Sequence, residues 1–430
     1  MGTALSRFTP KLVSRWLADP KQVQRFLDAY VAAGQQLSKG GEHVLICAED
    51  RVVFLAYLAA AMPQQRGIFL ANSQWGAAEW AQAYRQMPAD LTVLGVAPVR
   101  QLDVSGAACA DYPGRLLIPT GGTGGRIKFA VHTTESLKAS VDGYLTYWGG
   151  EPLNVICPLP VCHIGGLMLA LRAAWTGGQL WLCDARLEEQ PPAGFNLRHA
   201  HCSVVGAQLR RALDQGGHWL RECGAVLVGG GPSAPEILQE AIEEGIPLYT
   251  AYGLTEAAAT VALAKVEPGA DCSLGEVLPH WRVEMRDGRI YLSGEALFKG
   301  YWGEAPRGDA YWDTGDRGEL VGGRLKVSGR AGRFVITGGR KVDADLLEKR
   351  LLAWPEIQDA VVFGAPHREW GEAVTAVVET SASEAALVAK ARAELLPEMR
   401  PKDWRPVAQL PRTPLGKPDW PAIYSLMKST

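Results

Sequence analysis

The sequence predicts an α/β chain: a large N-terminal domain of helix-covered sheets, a small antiparallel β unit at its end, and a small α+β C-terminal domain beyond a hinge. Three observations predict it. Short apolar runs alternate with helical periodicity through the first two-thirds of the chain. Paired hairpin signals follow near residue 272. About 100 residues of mixed pattern come after Arg330, enough for a small domain of their own. The expected division is therefore residues 1–330 and 331–430.

Taken in order, His43–Cys47 reads as a buried strand and Arg51–Met62 as a helix. Gly67–Ala71 reads as a strand and Gly76–Gln86 as a helix. Arg115–Pro119 is strand-like, Thr134–Trp148 helical and Asn154–Cys157 strand-like. Further strands are expected at Gln179–Cys183, Cys202–Val205, Ala225–Val228 and Pro247–Thr250. Asp287-Gly288 joins Arg282–Arg286 to Arg289–Leu292, and Val321–Arg324 joins Leu320 to Leu325–Val327, both as hairpins. Beyond them come a strand near Phe334, a helix over Asp343–Ala353, strands near Ala360 and Val374, and a helix over Ala385–Leu396.

Global properties narrow the function. The 430 residues are 47% hydrophobic and 21% charged, with a net charge of −2, which points to neither a nucleic acid nor an acidic membrane partner. The longest apolar run, Val52–Met62, is 11 residues, too short to span a bilayer. No signal peptide opens the chain, and the eight cysteines form no Cys-x-x-Cys pair, so reduced thiols in a cytoplasmic protein are expected. His199-Ala-His201-Cys202 has the look of a metal pair, but no second ligand cluster accompanies it, and ordinary strand residues are the better reading.

The motifs carry more. Pro119-Thr-Gly-Gly-Thr-Gly-Gly-Arg-Ile-Lys128 is expected between a strand and a helix. Its glycines let backbone N–H groups converge, and its hydroxyls and cations complete a cradle for a phosphate chain. It has neither the common P-loop spacing nor the dinucleotide fingerprint. Tyr252-Gly-Leu-Thr-Glu256 follows an apolar strand and offers a ring, a hydroxyl and a hard oxygen ligand for Mg²⁺; the plainer alternative is a helix N-terminus with Glu in its first turn. Val228-Gly-Gly-Gly-Pro-Ser233 allows close approach to a flat ligand, or is only a tight turn. Asp316 and Arg330 suit the two hydroxyls of a ribose, although Asp and Gly are also turn residues. Lys417 stands in Pro411-Arg-Thr-Pro-Leu-Gly-Lys417, where a lone lysine is ordinarily a solvated charge. No Gly-x-Ser-x-Gly elbow occurs, which removes a serine hydrolase.

As an ordered set, these motifs with Gly338-Gly-Arg-Lys341 resemble the adenylate-forming superfamily, which includes acyl-CoA synthetases, luciferases and peptide-synthetase adenylation domains. Within it the chain is most similar to the o-succinylbenzoate–CoA ligases of menaquinone and phylloquinone synthesis. Lys128-Phe-Ala-Val-His-Thr133, Leu159-Pro-Val-Cys-His163 with Arg172 nine residues on, and Tyr252–Val261 carry that likeness. The resemblance implies an acid–thiol ligase that uses ATP, Mg²⁺ and coenzyme A. An acyl-adenylate and pyrophosphate form first, and CoA then displaces AMP. It implies that Thr120, Gly121, Gly122, Thr123 and Lys128 hold the β/γ-phosphates. Gly229, Gly230 and Gly231 would pass along adenine and the acyl group, with Tyr252 stacked on the base. Thr255 would bind the α-phosphate, Glu256 the metal, and Asp316 with Arg330 the ribose. His163 would line and gate the acyl pocket, Lys417 would bridge carboxylate and phosphate, and Gly338 with Gly339 would serve thioester formation. Arg172, on a buried apolar helix, is expected to face a substrate carboxylate or a structural ion pair. The expected partners are small molecules alone, with self-association left open. Other aryl- or acyl-CoA ligases, and an adenylation module loading a carrier protein, are the alternatives. Three positions depart from the family: Gly332 replaces the usual hinge Asp, Ala344 and Leu346 replace a Pro and a Glu, and Gly124 replaces a Thr or Ser.

Overall fold

The computed structural model describes residues 10–38, 40–98, 114–121, 127–231, 235–269, 272–308, 310–330, 333–337, 340–367, 371–395, 397–414 and 416–427. Three sheets organise them. The first contains β1 (His43–Cys47), β2 (Gly67–Leu70), β3 (Leu91–Gly95), β4 (Leu116–Gly121) and β5 (Ile127–His132), in the order β3-β1-β2-β4-β5. Its first four strands run parallel and β5 turns back antiparallel to β4. Helices α1 (Pro10–Trp16), α2 (Pro20–Leu37), α3 (Arg51–Ala61) and α4 (Ala77–Tyr84) accompany it. Asp19 caps α2 ahead of Pro20 at the first helical position, and Asp50 caps α3 through the N–H groups of Val52 and Val53. Both helix starts thus follow from an Asp whose carboxylate satisfies otherwise orphaned donors.

The expected Arg51 helix is present, but the loop 119–128 runs into a strand, not a helix. Thr120 and Lys128 face each other in the β4–β5 ladder. The cradle is therefore a hairpin connection, and α5 (Thr134–Tyr147) begins only after His132, with a capping box between Thr133 and Ser136.

The second sheet has eleven strands: β6 (Asn154–Cys157), β7 (Leu180–Leu182), β8 (Ala200–Val205), β9 (Ala225–Gly229), β10 (Leu248–Leu254), β11 (Ala259–Lys265), β12 (Leu274–Val277), β13 (Arg282–Arg286), β14 (Arg289–Ser293), β15 (Trp312–Val321) and β16 (Arg324–Arg330). The order is β13-β14-β15-β16-β12-β11-β10-β9-β8-β6-β7. β7-β6-β8-β9-β10 is parallel, and the remainder is antiparallel from the β10–β11 pair onward. The antiparallel strands thus extend the parallel sheet and do not form a free-standing unit. Helices α6 (Ile164–Thr176), α7 (Gly206–Gln215) and α8 (Pro235–Glu243) belong to this part. The main core gathers side chains of both sheets with α3, α5 and α6, so the phosphate hairpin and the β10 motif share one packed body.

The third sheet joins β17 (Phe334–Thr337), β18 (Arg340–Asp343), β19 (Ile357–His367), β20 (Gly371–Thr380) and β21 (Asp403–Val407) with α9 (Ala344–Leu352), α10 (Glu384–Glu394) and α11 (Trp420–Leu426). It encloses its own core around Leu347, Val362, Val374 and Trp404. The hinge position Gly332 lies outside the described residues, as do Gly122, Thr123, Gly338 and Gly339. No described helix is long and apolar enough to cross a membrane.

Candidate active site

The site assembles where β4, β5, β10 and the segment 298–302 meet. That segment runs along β5: Val131 N–H donates to Gly300 O, and Trp302 N–H donates to Phe129 O, at 2.9 and 2.8 Å. Tyr301 is thereby placed across from Ala130. Its hydroxyl donates to Glu256 Oε1 at 2.7 Å, and its ring lies 4.4 Å from Lys128 Nζ. Lys128 in turn donates to Glu304 Oε1 at 2.9 Å, an exposed ion pair. Lys128 and Glu256, 128 residues apart in the chain, are thus brought onto one phenol. Local sequence pattern gave no sign of Tyr301 or Glu304.

Tyr252–Leu254 belong to β10 itself and do not follow it; Thr255–Ala257 form a single 3₁₀ turn after it. Ala258 and Ala259, with φ of 46° and 83°, then reverse the chain into β11. Positive φ at two successive alanines is backbone strain held by the surrounding packing, beside the buried Glu256. Thr255 O accepts from His132 Nε2 at 2.8 Å. Burial pushes the His132 pKa down to about 4, so a neutral ring fastens β5 to this turn. Its Nε2 must carry the hydrogen, because a carbonyl only accepts.

Asp316 is buried, and its backbone N–H donates to Thr314 Oγ1 at 3.0 Å. Its carboxylate accepts from the Tyr252 hydroxyl at 2.7 Å, and Arg330 stands opposite it in the β15–β16 ladder. The expected adenine residue and Asp316 of the expected ribose pair therefore meet. Gly229 ends β9, where an added Cβ would lie 3.2 Å from Ala251 O; Gly230 has φ of 86°, and beside Gly231 a Cβ would meet nothing within 4 Å.

His163 occupies the N-cap position of α6, and its Nε2 lies 3.4 Å from Asn72 Nδ2. Burial first, and the Lys417 charge second, depress its pKa to about 4. The Lys417 charge is therefore felt at the start of α6. The preceding Gly416 has φ of 71°, and a Cβ on it would come within 3.1 Å of Val205 at the end of β8. The C-terminal loop is thus seated against the second sheet.

Arg172 is 3% exposed. Its Nη2 donates to Thr260 Oγ1 at 2.9 Å, and its guanidinium lies 3.6 Å from the centre of the Tyr144 ring. No carboxylate pairs with it among the described residues, which corrects the expectation of a structural ion pair. His201 does not form a metal pair: its Nδ1 shares a hydrogen bond with the Tyr144 hydroxyl at 2.9 Å, and no described group of three His, Cys, Asp or Glu could hold a metal.

Comparison with known proteins identifies the family. The family model described as AMP-binding enzyme matches residues 115–302, and the one described as AMP-binding enzyme C-terminal domain matches residues 346–417. The 2-succinylbenzoate–CoA ligase of Salmonella typhimurium is 31% identical over 315 residues, 71% of this chain and 67% of that protein. The Escherichia coli protein of the same name is 30% identical over 286 residues, 64% of this chain and 61% of its own length. The chain therefore spans about two-thirds, or somewhat less, of these curated relatives. A solved E. coli MenE with bound OSB-AMS is 25% identical, with a TM-score of 0.69, covering 87% of this chain and 86% of that one. The matched spans contain the hairpin, the Tyr252–Glu256 turn, Tyr301 and Lys417. Sequence, fold and site together place the chain in the AMP-binding enzyme family.

Proposed function

We propose that the chain is an ATP-dependent CoA ligase for an aromatic dicarboxylate, o-succinylbenzoate, acting through an acyl-adenylate and releasing AMP and pyrophosphate. The observation that carries the choice of substrate is Arg172, a buried guanidinium with no carboxylate partner among the described residues, on the helix that starts at His163. The names of the relatives support the same choice.

In this reading Thr120, Gly121 and Lys128, with Gly122 and Thr123, hold the β/γ-phosphates. Lys128 exchanges Glu304 for a phosphate oxygen, a small loss because exposed ion pairs are worth about 0–1 kcal/mol. Tyr252 and Gly229–Gly231 bracket the adenine, and Asp316 with Arg330 accepts and braces the ribose. Thr255 holds the α-phosphate. Lys417 approaches past His163 and neutralises the oxygens that gain charge as the carboxylate attacks phosphorus. The donor set fits Mg²⁺: Glu256 supplies one hard oxygen, steadied by Tyr301, and nucleotide phosphates and water complete the shell. The metal, when bound, screens the triphosphate's charge. Gly338 and Gly339 then serve the thioester step, in which CoA thiolate attacks the acyl carbon and AMP leaves. That step calls for a C-terminal unit, residues 331–430, that moves against residues 1–330.

The test is a panel of carboxylates assayed by pyrophosphate release, with and without CoA. Expected is turnover with o-succinylbenzoate, and AMP release that depends on CoA. Preference for another acid makes the chain a different acyl-CoA ligase. AMP retention with CoA, but release to a carrier protein, makes it a loading module.

A further inference from the structure

Around Arg172 lies a second feature that the phosphate chemistry does not use. Neither ring nitrogen of His280 has a hydrogen-bond partner among the described residues, and both are shielded from solvent. Arg172 Nε is in the same condition. Buried polar atoms without partners are rare in folded proteins and mark places where a ligand or water completes the bonding. The two groups are neighbours: Arg172 bonds Thr260 Oγ1, and Trp281, next to His280, donates Nε1–H to Thr260 O at 3.1 Å. Burial first, and the Arg172 charge second, hold the His280 ring neutral.

The seat of His280 is built into α5. A Cβ on Gly143 would lie 1.9 Å from His280 Nδ1 and 2.3 Å from its Cγ, so the imidazole rests on bare helix backbone. A glycine in a helix interior is unfavourable relative to alanine by about 1 kcal/mol. The next residue, Tyr144, is the one whose ring lies under Arg172 and whose hydroxyl is taken by His201. Consecutive α5 positions therefore present the two groups together, and His201, turned to Tyr144, does not compete with them.

We propose that His280, seated on Gly143, is a specificity residue that donates an N–H to the carboxylate of the acyl substrate that is not adenylated, beside Arg172. This rests on the dicarboxylate reading above. Arg172 supplies the permanent charge and His280 a neutral donor, so one carboxylate of the acid satisfies unpaired atoms on both. Benzoyl-type acids lacking that carboxylate leave those atoms unpaired.

The test uses the full chain, unmodified and as His280→Ala, His280→Gln and Gly143→Ala. Substrates are o-succinylbenzoate and its two analogues that each lack one carboxylate, 4-oxo-4-phenylbutanoate and 2-propanoylbenzoate; only the analogue that keeps the reacting carboxylate turns over. Expected for His280→Ala is a KM for o-succinylbenzoate raised roughly ten- to a hundredfold, the loss of one hydrogen bond to a charged group. Its kcat should stay near the original, and kinetics with the reacting analogue should not change. Gly143→Ala, which pushes the ring off its seat, should copy this. His280→Gln, with a donor at similar reach, should recover part of the loss, and it keeps the test open should the alanine variant fold poorly. Equal losses on both acids would reveal a merely structural histidine and overturn the proposal. So would unchanged kinetics on both, the result if water alone fills the space. An unmodified enzyme inactive on o-succinylbenzoate but active on another acid overturns the dicarboxylate reading and this assignment with it; activity on o-succinylbenzoate with indifferent variants overturns this assignment alone.

Discussion

A buried carboxylate steadied by one phenol is sensitive to that phenol. Glu256 is 7% exposed and accepts from Tyr301 at 2.7 Å. Losing the hydroxyl in Tyr301→Phe should raise the Mg²⁺ concentration needed for half-maximal adenylation by roughly tenfold or more, the usual effect of removing a partner behind a metal ligand. The KM for the acid should not move; an unchanged Mg²⁺ titration would take Tyr301 out of the site. Histidines make a second case at this scale. His132 and His163 have pKa values pushed down to about 4, below the ordinary 6.5, so between those values the unfolded chain binds protons that the folded chain refuses. Their contribution to stability is complete above about pH 6.5 and is lost as pH falls toward 4, up to about 3 kcal/mol for a fully buried ring. His132→Gln should flatten the fall in thermal midpoint over that window, and a slope equal to that of the unmodified chain would contradict the neutral buried ring.

At the scale of elements, α9 depends on one guanidinium. Arg333 donates to Glu348 Oε1 and Oε2 at 2.6 and 2.9 Å, to Asp345 and to Val362 O, tying the helix to β19 across the third core. Arg333→Ala removes the guanidinium that bridges two largely buried carboxylates and should destabilise this sheet by about 3–5 kcal/mol. Hydrogen exchange along β19 and β20 would register it, and protection equal to the unmodified chain would deny the role. Elements of this kind were unevenly legible in the sequence. His43–Cys47 and Arg51–Ala61 stood out because a wholly apolar strand and an Asp-capped helix each leave a local signature. Strand β5 did not: Phe129 and Val131 enter one core and Ala130 another, so no polar face alternates to announce it. β11, Ala-Thr-Val-Ala-Leu-Ala-Lys, has alanines that favour helix, and pairing with β10 and β12 overrides them. The motif residues Lys128, Tyr252, Glu256 and Asp316 were readable because each sits in a compact string. Tyr301, Tyr144 and His280 were not, because what singles them out is contact across 28 to more than 100 residues of chain.

For the whole molecule the question is how one site performs two steps, and the C-terminal loop bears the answer. Gly416, just before Lys417, has φ of 71° and lies against Val205 at the end of β8. A side chain at Gly416 would be strained in that conformation and would also press on Val205 at 3.1 Å, so it should unseat the lysine while leaving its charge intact. In the proposed reading Lys417 aims at oxygens that gain charge only during adenylation, and removing one such donor typically slows a step by about 10²–10³. Thioester formation from preformed acyl-adenylate has no such demand on it. Lys417→Ala and Gly416→Val should therefore both lose adenylation, by about 10² or more, and both keep CoA transfer. Single-turnover assays separate the steps: ATP with the acid in one, synthetic acyl-adenylate with CoA in the other. The glycine variant is the stricter of the two, because it changes no charge, so its defect can come only through the position of the loop. If Gly416→Val adenylates normally, the seating on β8 is irrelevant to catalysis. If both variants lose both steps in parallel with the fold intact, the C-terminal unit does not alternate, and a single fixed arrangement serves both reactions.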